Sequence, residues 1–210
     1  MLSDIKNKLR LLNLGHHGCF YYHTQADAIE TSLAFLQIGL ERNERCIYLT
    51  DPSTVEKAKT VFTQAGIDVD KEAEKGTLFL TSERSYLVNG RFDKNRMIQF
   101  IDQTLQDALK AGFTGLRGVG DMVWELGSDA NLRTIDEYER LVDKYLHKKK
   151  VTALCQYNME VLSPEYLRVP LFSHNAIVSR ADVCVDNHFH NCSYNFPQSS
   201  FEIMYQSLHA

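Results

Sequence analysis

A chain of 210 residues with 44% hydrophobic and 24% charged side chains is long enough to bury a core and short enough to form one domain. Its net charge of -4 supplies no basic face, so direct nucleic-acid binding is not expected. No apolar run approaches the roughly 18 residues a membrane helix requires, the first six residues lack a signal-peptide layout, and five scattered cysteines fit a reduced, cytoplasmic setting better than a disulfide framework.

In chain order, the apolar run at 18–22 predicts a first strand. A helix follows over 26–41, with Ala26, Ile29, Leu33, Leu36 and Leu40 at helical spacing. The apolar run at 46–50 reads as a buried strand, and Asp51-Pro52-Ser53 then supply a turn and an N-cap. A helix over 55–65 is ended by Gly66. The third strand is placed at 77–81. Asp93 can cap a helix over 94–111, which Gly112 stops. Residues 115–120 are strand-like and 131–147 helical, with Lys148, Lys149 and Lys150 as its solvated end. A buried strand at 151–157, a short helix within 164–171 and a strand at 175–179 complete the alternation.

Strands that are apolar on both faces and separated by helices indicate a mostly parallel sheet covered on both sides. The expected organisation is a helical lead-in over 1–14, an α/β domain over 15–180 and a C-terminal arm over 181–210 packed on it. Such folds bind ligands at the carboxyl ends of their strands, and a P-loop there needs a glycine-rich loop with a lysine. The first strand is followed instead by His23-Thr24-Gln25-Ala26-Asp27, without glycine or lysine, and Asp27 would repel a phosphate.

The stretch Leu33-Ala34-Phe35-Leu36-Gln37-Ile38-Gly39-Leu40-Glu41-Arg42-Asn43-Glu44-Arg45-Cys46-Ile47-Tyr48-Leu49 resembles the helix and strand of KaiC-like members of the RecA superfamily. Gly15-His16-His17-Gly18-Cys19-Phe20-Tyr21-Tyr22, Tyr86-Leu87-Val88-Asn89-Gly90-Arg91-Phe92-Asp93, the segment from Leu116 to Trp124, Tyr138-Glu139, Leu154-Cys155-Gln156-Tyr157-Asn158 and His174 extend the pattern. Together they resemble the MEDS domain, a DcmR-like sensory domain with a degenerate P-loop, over roughly Gly15 to Val178. Asn43, in place of a glycine, and Asn158, in place of an aspartate, depart from that pattern. The resemblance implies a three-layer RecA-like fold and a sensor of small organic molecules, often fused to a DNA-binding or kinase module. None fits in this chain, so signalling would pass through a partner, such as a separate regulator or a histidine kinase.

The candidate ligand pocket comprises His17, Tyr22, Glu44, Arg117, Asp121, Trp124, Tyr157 and His174. Arg117, in a buried strand, needs a partner, and Asp121 or Glu44 can supply it. His17 and His174 precede strands, and each has a plain alternative as a locally hydrogen-bonded residue. In the tail, His188, His190 and Cys192 form an H-x-H-x-C pattern whose donors share one face of an extended chain and suit a transition metal; a polar surface arm is the alternative. The expected function is a non-enzymatic small-molecule sensor with no resident cofactor. The alternatives are a protein-interaction module with an empty pocket and a redox sensor holding a transition metal or haem. A homodimer remains open.

Overall fold

The computed structural model describes residues 2–123, 131–179 and 182–187. A short helix α1 (Leu2–Leu9) leads to strand β1 (His17–Tyr22), helix α2 (Gln25–Glu41) and strand β2 (Arg45–Leu49). Helices α3 (Pro52–Gln64) and α4 (Val69–Glu74) precede β3 (Leu78–Thr81) and a small antiparallel hairpin, β4 (Leu87–Val88) and β5 (Arg91–Phe92). Then come α5 (Lys94–Lys110), β6 (Leu116–Asp121), α6 (Leu132–Leu146), β7 (Val151–Asn158), α7 (Pro164–Arg168), α8 (Pro170–Ser173), β8 (Ala176–Val178) and β9 (Val183–Val185).

The helices start where side chains can take over the unpaired N–H groups of a first turn. Asp51 accepts from the amides of Ser53 and Thr54, Asp93 from those of Asn95 and Arg96, and Asn131 from that of Thr134. Past α3 and α5, Gly66 and Gly112 stand at φ +85° and +88°, which ends a helix at little cost only for glycine.

The main sheet has the order β3-β2-β6-β7-β1-β8-β9, parallel except for the antiparallel edge strand β9. β1 lies inside it, between β7 and β8. Helices cover both faces, as expected from the apolar strands. One face packs Phe20, Tyr48, Val119 and Leu154 against α1, α2 and α3. The other packs Cys19, Tyr21, Cys155 and Tyr157 against α5, α6, α7 and α8.

Register decides what lines each face, because paired residues of parallel strands project to the same side. Tyr48, Val119, Leu154 and Gly18 form one row under α2. On the opposite face Ile47, Gly118, Ala153 and His17 form a row, and Leu49, Gly120, Cys155 and Cys19 form the next. These two rows are small at their centre. The large side chains of α5 and α6 therefore meet a shallow trough in the sheet, and the second layer cannot close fully over it.

Candidate functional site

Where the trough lies, Met97, Phe100, Ile101, Tyr138, Val142 and Leu146 roof a narrow apolar cavity of about 70 Å³ over Gly118, Gly120, Ala153 and Cys155. A Cβ on Gly118 would project to this side and meet Ile47 Cγ2 at 3.5 Å, so the missing side chain is what leaves the space. Its lining is almost wholly apolar, and Cys155 is the one thiol in it.

Cys155 also belongs to a buried polar cluster. The Nε2 atoms of His17 and His174 lie 3.3 and 3.4 Å from the same carboxylate oxygen, Oε2 of Glu139. Cys155 Sγ is 3.4 Å from His17 Nε2 and 3.9 Å from Glu139 Oε2. The side chains of His17, Glu139 and His174 have no exposed surface. The imidazole rings stack at 3.8 Å between centroids, and Tyr157 packs edge-on against His174.

Each member is positioned by the fold. His17 and His174 meet because β1 and β8 are neighbours in parallel register, Gly18 opposite Ala176, which brings the residues before them to the same end. Asn175 ties the two segments, accepting from the His17 amide at 2.9 Å. Asn187 donates to the carbonyls of Leu171 and His174 and anchors α8 beneath. Glu139 stands on the inward face of α6 with Ile135, Tyr138, Val142 and Leu146.

The surrounding contacts set the chemistry. Nδ1 of His174 lies 2.9 Å from the Pro170 carbonyl and 3.1 Å from Ser173 Oγ. A carbonyl can only accept, so Nδ1 carries the proton, and Nε2 presents a lone pair to the cluster. Tyr157 donates its hydroxyl to Glu139 Oε1, which leaves Oε2 for the histidines. His17 Nδ1 faces Asp143 at 3.7 Å. Burial opposes a charge on His17, but hydrogen bonding to Asp143 and Glu139 and their negative charge together outweigh it and raise its pKa to about 9. Burial, followed by the Glu139 charge, pushes the Tyr157 hydroxyl well above the usual phenol range, so it stays a donor.

The sequence candidates fall into three groups. His17, Tyr157 and His174 come together at this cluster. Arg117 and Glu44 lie on the opposite face, under α2. There Arg117 Nε donates to Glu44 at 2.5 Å, its Nη2 to the Leu12 carbonyl at 3.3 Å, and its guanidinium stacks 4.4 Å from the Phe35 ring centroid. Glu44, not Asp121, is the partner. Gly39 makes room for this pair, since a Cβ there would stand 2.8 Å from Arg117 Cδ. Tyr22 and Asp121 lie near the carboxyl ends of their strands, where Asp121 meets Thr50 Oγ1 at 3.4 Å. A single pocket holding all of these residues is not formed. Trp124, His188, His190 and Cys192 lie outside the described residues.

Glu139 and Cys155 lie in segments that carry the family resemblance but were not among the candidate site residues. Glu139 had a signal: it interrupts an apolar stripe at 135, 138, 142 and 146, where a carboxylate must find partners. Cys155 reads simply as a small apolar residue in a buried strand.

At the usual phosphate position, Thr24 caps α2. It accepts from the Asp27 amide at 3.2 Å while its own amide and hydroxyl donate to the Asp27 carboxylate at 3.3 and 2.7 Å. A carboxylate of the chain itself thus occupies the helix N-terminus.

Among known proteins, the chain is similar to the transcriptional repressor DcmR of Methylorubrum extorquens, 29% identical over 163 residues. That alignment covers 75% of this chain and 57% of the repressor, so the chain matches little more than half of that protein's length. The family model for the methanogen/methylotroph, DcmR sensory domain matches residues 16–175, a span that contains His17, Glu139, Cys155 and His174 together. The chain belongs to the MEDS family of sensory domains.

Proposed function

We propose that this chain is a non-enzymatic sensory domain of the cytoplasm that takes a small, mainly apolar molecule into the cavity between the sheet and α5–α6. It passes the signal to a partner protein, a regulator or a histidine kinase. The observation that carries this reading is the cavity: small residues of two adjacent rows, Gly118, Gly120 and Ala153, leave a gap between the sheet and the roof of α5 and α6. A cavity of about 150 Å³ accepts benzene, so one of about 70 Å³ suits an occupant of roughly half that size, unless the roof moves. The carboxylate-capped N-terminus of α2 supports sensing without nucleotide. Asp27 carries a negative charge there, and nothing in 23–27 supplies a phosphate-binding lysine. The expected role in regulation rests on family membership and on likeness to a transcriptional repressor.

The test uses xenon and short alkanes or haloalkanes as probes on the purified chain, followed by methyl NMR and melting temperature. Shifts confined to Ile101, Val142 and Leu146, with a rise in melting temperature, support the reading. Saturating probe without either response overturns it.

A further inference from the structure

We propose that His17, Glu139, Cys155 and His174 together bind one divalent transition-metal ion, zinc in the first instance, in a closed tetrahedral site. Four donor atoms, one from each residue, lie within 4.8 Å of one another in the buried layer between the sheet and α6.

Most of the donor-to-donor distances are close to those of ligands around a common centre. A metal with bonds of about 2.0–2.1 Å to N and O and about 2.3 Å to S separates tetrahedral N/O ligands by about 3.3–3.4 Å and places sulfur about 3.5–3.6 Å from them. The nitrogen-to-oxygen edges here are 3.3 and 3.4 Å, the sulfur edges to His17 and Glu139 are 3.4 and 3.9 Å, and the remaining two edges lie within 4.8 Å. Direct N–H···O bonds are shorter, at about 2.7–3.2 Å.

The donor set and charge agree with that geometry. Two imidazoles, a thiolate and a carboxylate suit zinc and related borderline ions. With neutral histidines, the thiolate and the Glu139 carboxylate cancel a double positive charge, so burial carries no net ionic penalty at the four-ligand level.

Outer contacts hold the ligands in the required state. His174 donates its Nδ1–H to the Pro170 carbonyl, His17 turns Nδ1 toward Asp143, and Tyr157 donates to the second oxygen of Glu139. This is the arrangement that orients ligands in metal sites. The ligands sit at the start of β1, in the middle of α6 and β7 and just past α8, all packed elements, so the site is formed by the fold itself. Cys155 faces the apolar cavity, so a bound ion would place a metal thiolate at its edge. The metal site stands on these distances alone and does not need the cavity to be a ligand site.

The test is metal content of the full chain purified with zinc supplied, followed by cobalt substitution. One zinc per chain is expected, and cobalt should show intense visible bands of tetrahedral coordination with a near-ultraviolet thiolate charge-transfer band. Cys155→Ser should abolish that charge-transfer band, whereas Cys184→Ser and Cys192→Ser should leave it. X-ray absorption on wild-type zinc protein should show two imidazoles, one oxygen and one sulfur, which tests the site even where the Cys155 variant does not fold. Folded wild type that takes up no stoichiometric metal, a shell without sulfur, or a band lost in Cys192→Ser and kept in Cys155→Ser overturns the proposal. A metal-free protein that still takes up xenon would end this proposal and leave the sensory reading standing.

Discussion

Gly118→Ala should make the protein more stable and its proposed ligand site smaller. The position has no positive φ, so alanine adopts the backbone without strain. The added methyl would meet Ile47 Cγ2 at 3.5 Å, an ordinary contact. Replacing glycine where the conformation permits contributes about 0.4–1 kcal/mol through the unfolded chain. Filling cavity space contributes further. At about 24 cal/mol per Å³, a methyl comparable to the roughly 30 Å³ share of a water molecule adds about 0.7 kcal/mol. The expected gain is about 1.1–1.7 kcal/mol, read as a higher midpoint in urea at unchanged slope. In the same protein, xenon or a short alkane should lose most of its effect on the Val142 and Leu146 methyl signals. A destabilised Gly118→Ala protein would refute the claim that the glycine row leaves usable space. A stabilised one with undiminished probe uptake would show that the probe binds elsewhere.

Other perturbations test the scaffold and the cluster. Arg117→Met strands Glu44, whose side chain is 3% exposed, and should cost about 3–5 kcal/mol; adding Glu44→Leu should recover most of that in urea unfolding, and a double variant as unstable as the single would refute the pairing argument. Leu154→Ala, fully buried under α2, should cost about 2–5 kcal/mol, and a loss under about 1 kcal/mol would contradict the packing of β7. Tyr157→Phe removes the hydroxyl on Glu139 and should weaken zinc binding about 10–100-fold in chelator competition, while Tyr21→Phe, whose hydroxyl donates to the Leu167 carbonyl, should not. Calorimetry should detect no tight ATP binding, because the Asp27 carboxylate already caps the N-terminus of α2 and would repel a phosphate; micromolar affinity that depends on residues 23–27 would refute this.

Much of the architecture is determined locally and can be read from the chain alone. The runs at 18–22, 46–50 and 151–157 are apolar enough that only a doubly covered sheet hides them. Asp51, Asp93 and Asn131 mark helix starts because their side chains satisfy amides one or two residues into the first turn. The short pieces are a different matter. α4, the β4–β5 hairpin and β9 carry too few residues for a period to emerge, and tertiary contacts hold them in place. Arg117 announced its need for a counter-charge, since a guanidinium in a buried strand is costly alone. Only the structure chose Glu44 over Asp121, because Asp121 lies four residues further along β6, at its far end, while the gap at Gly39 lets the guanidinium reach the turn after α2. The cluster depends still more on tertiary structure. His17 and His174 are 157 positions apart and meet because β8 pairs with β1, while Glu139 and Cys155 reach them through α6 packing and the register of β7. Local sequence prescribes which way a side chain points along its own element. Which strands become neighbours is decided by burial of the whole sheet, and that choice created both the trough and the buried donor set.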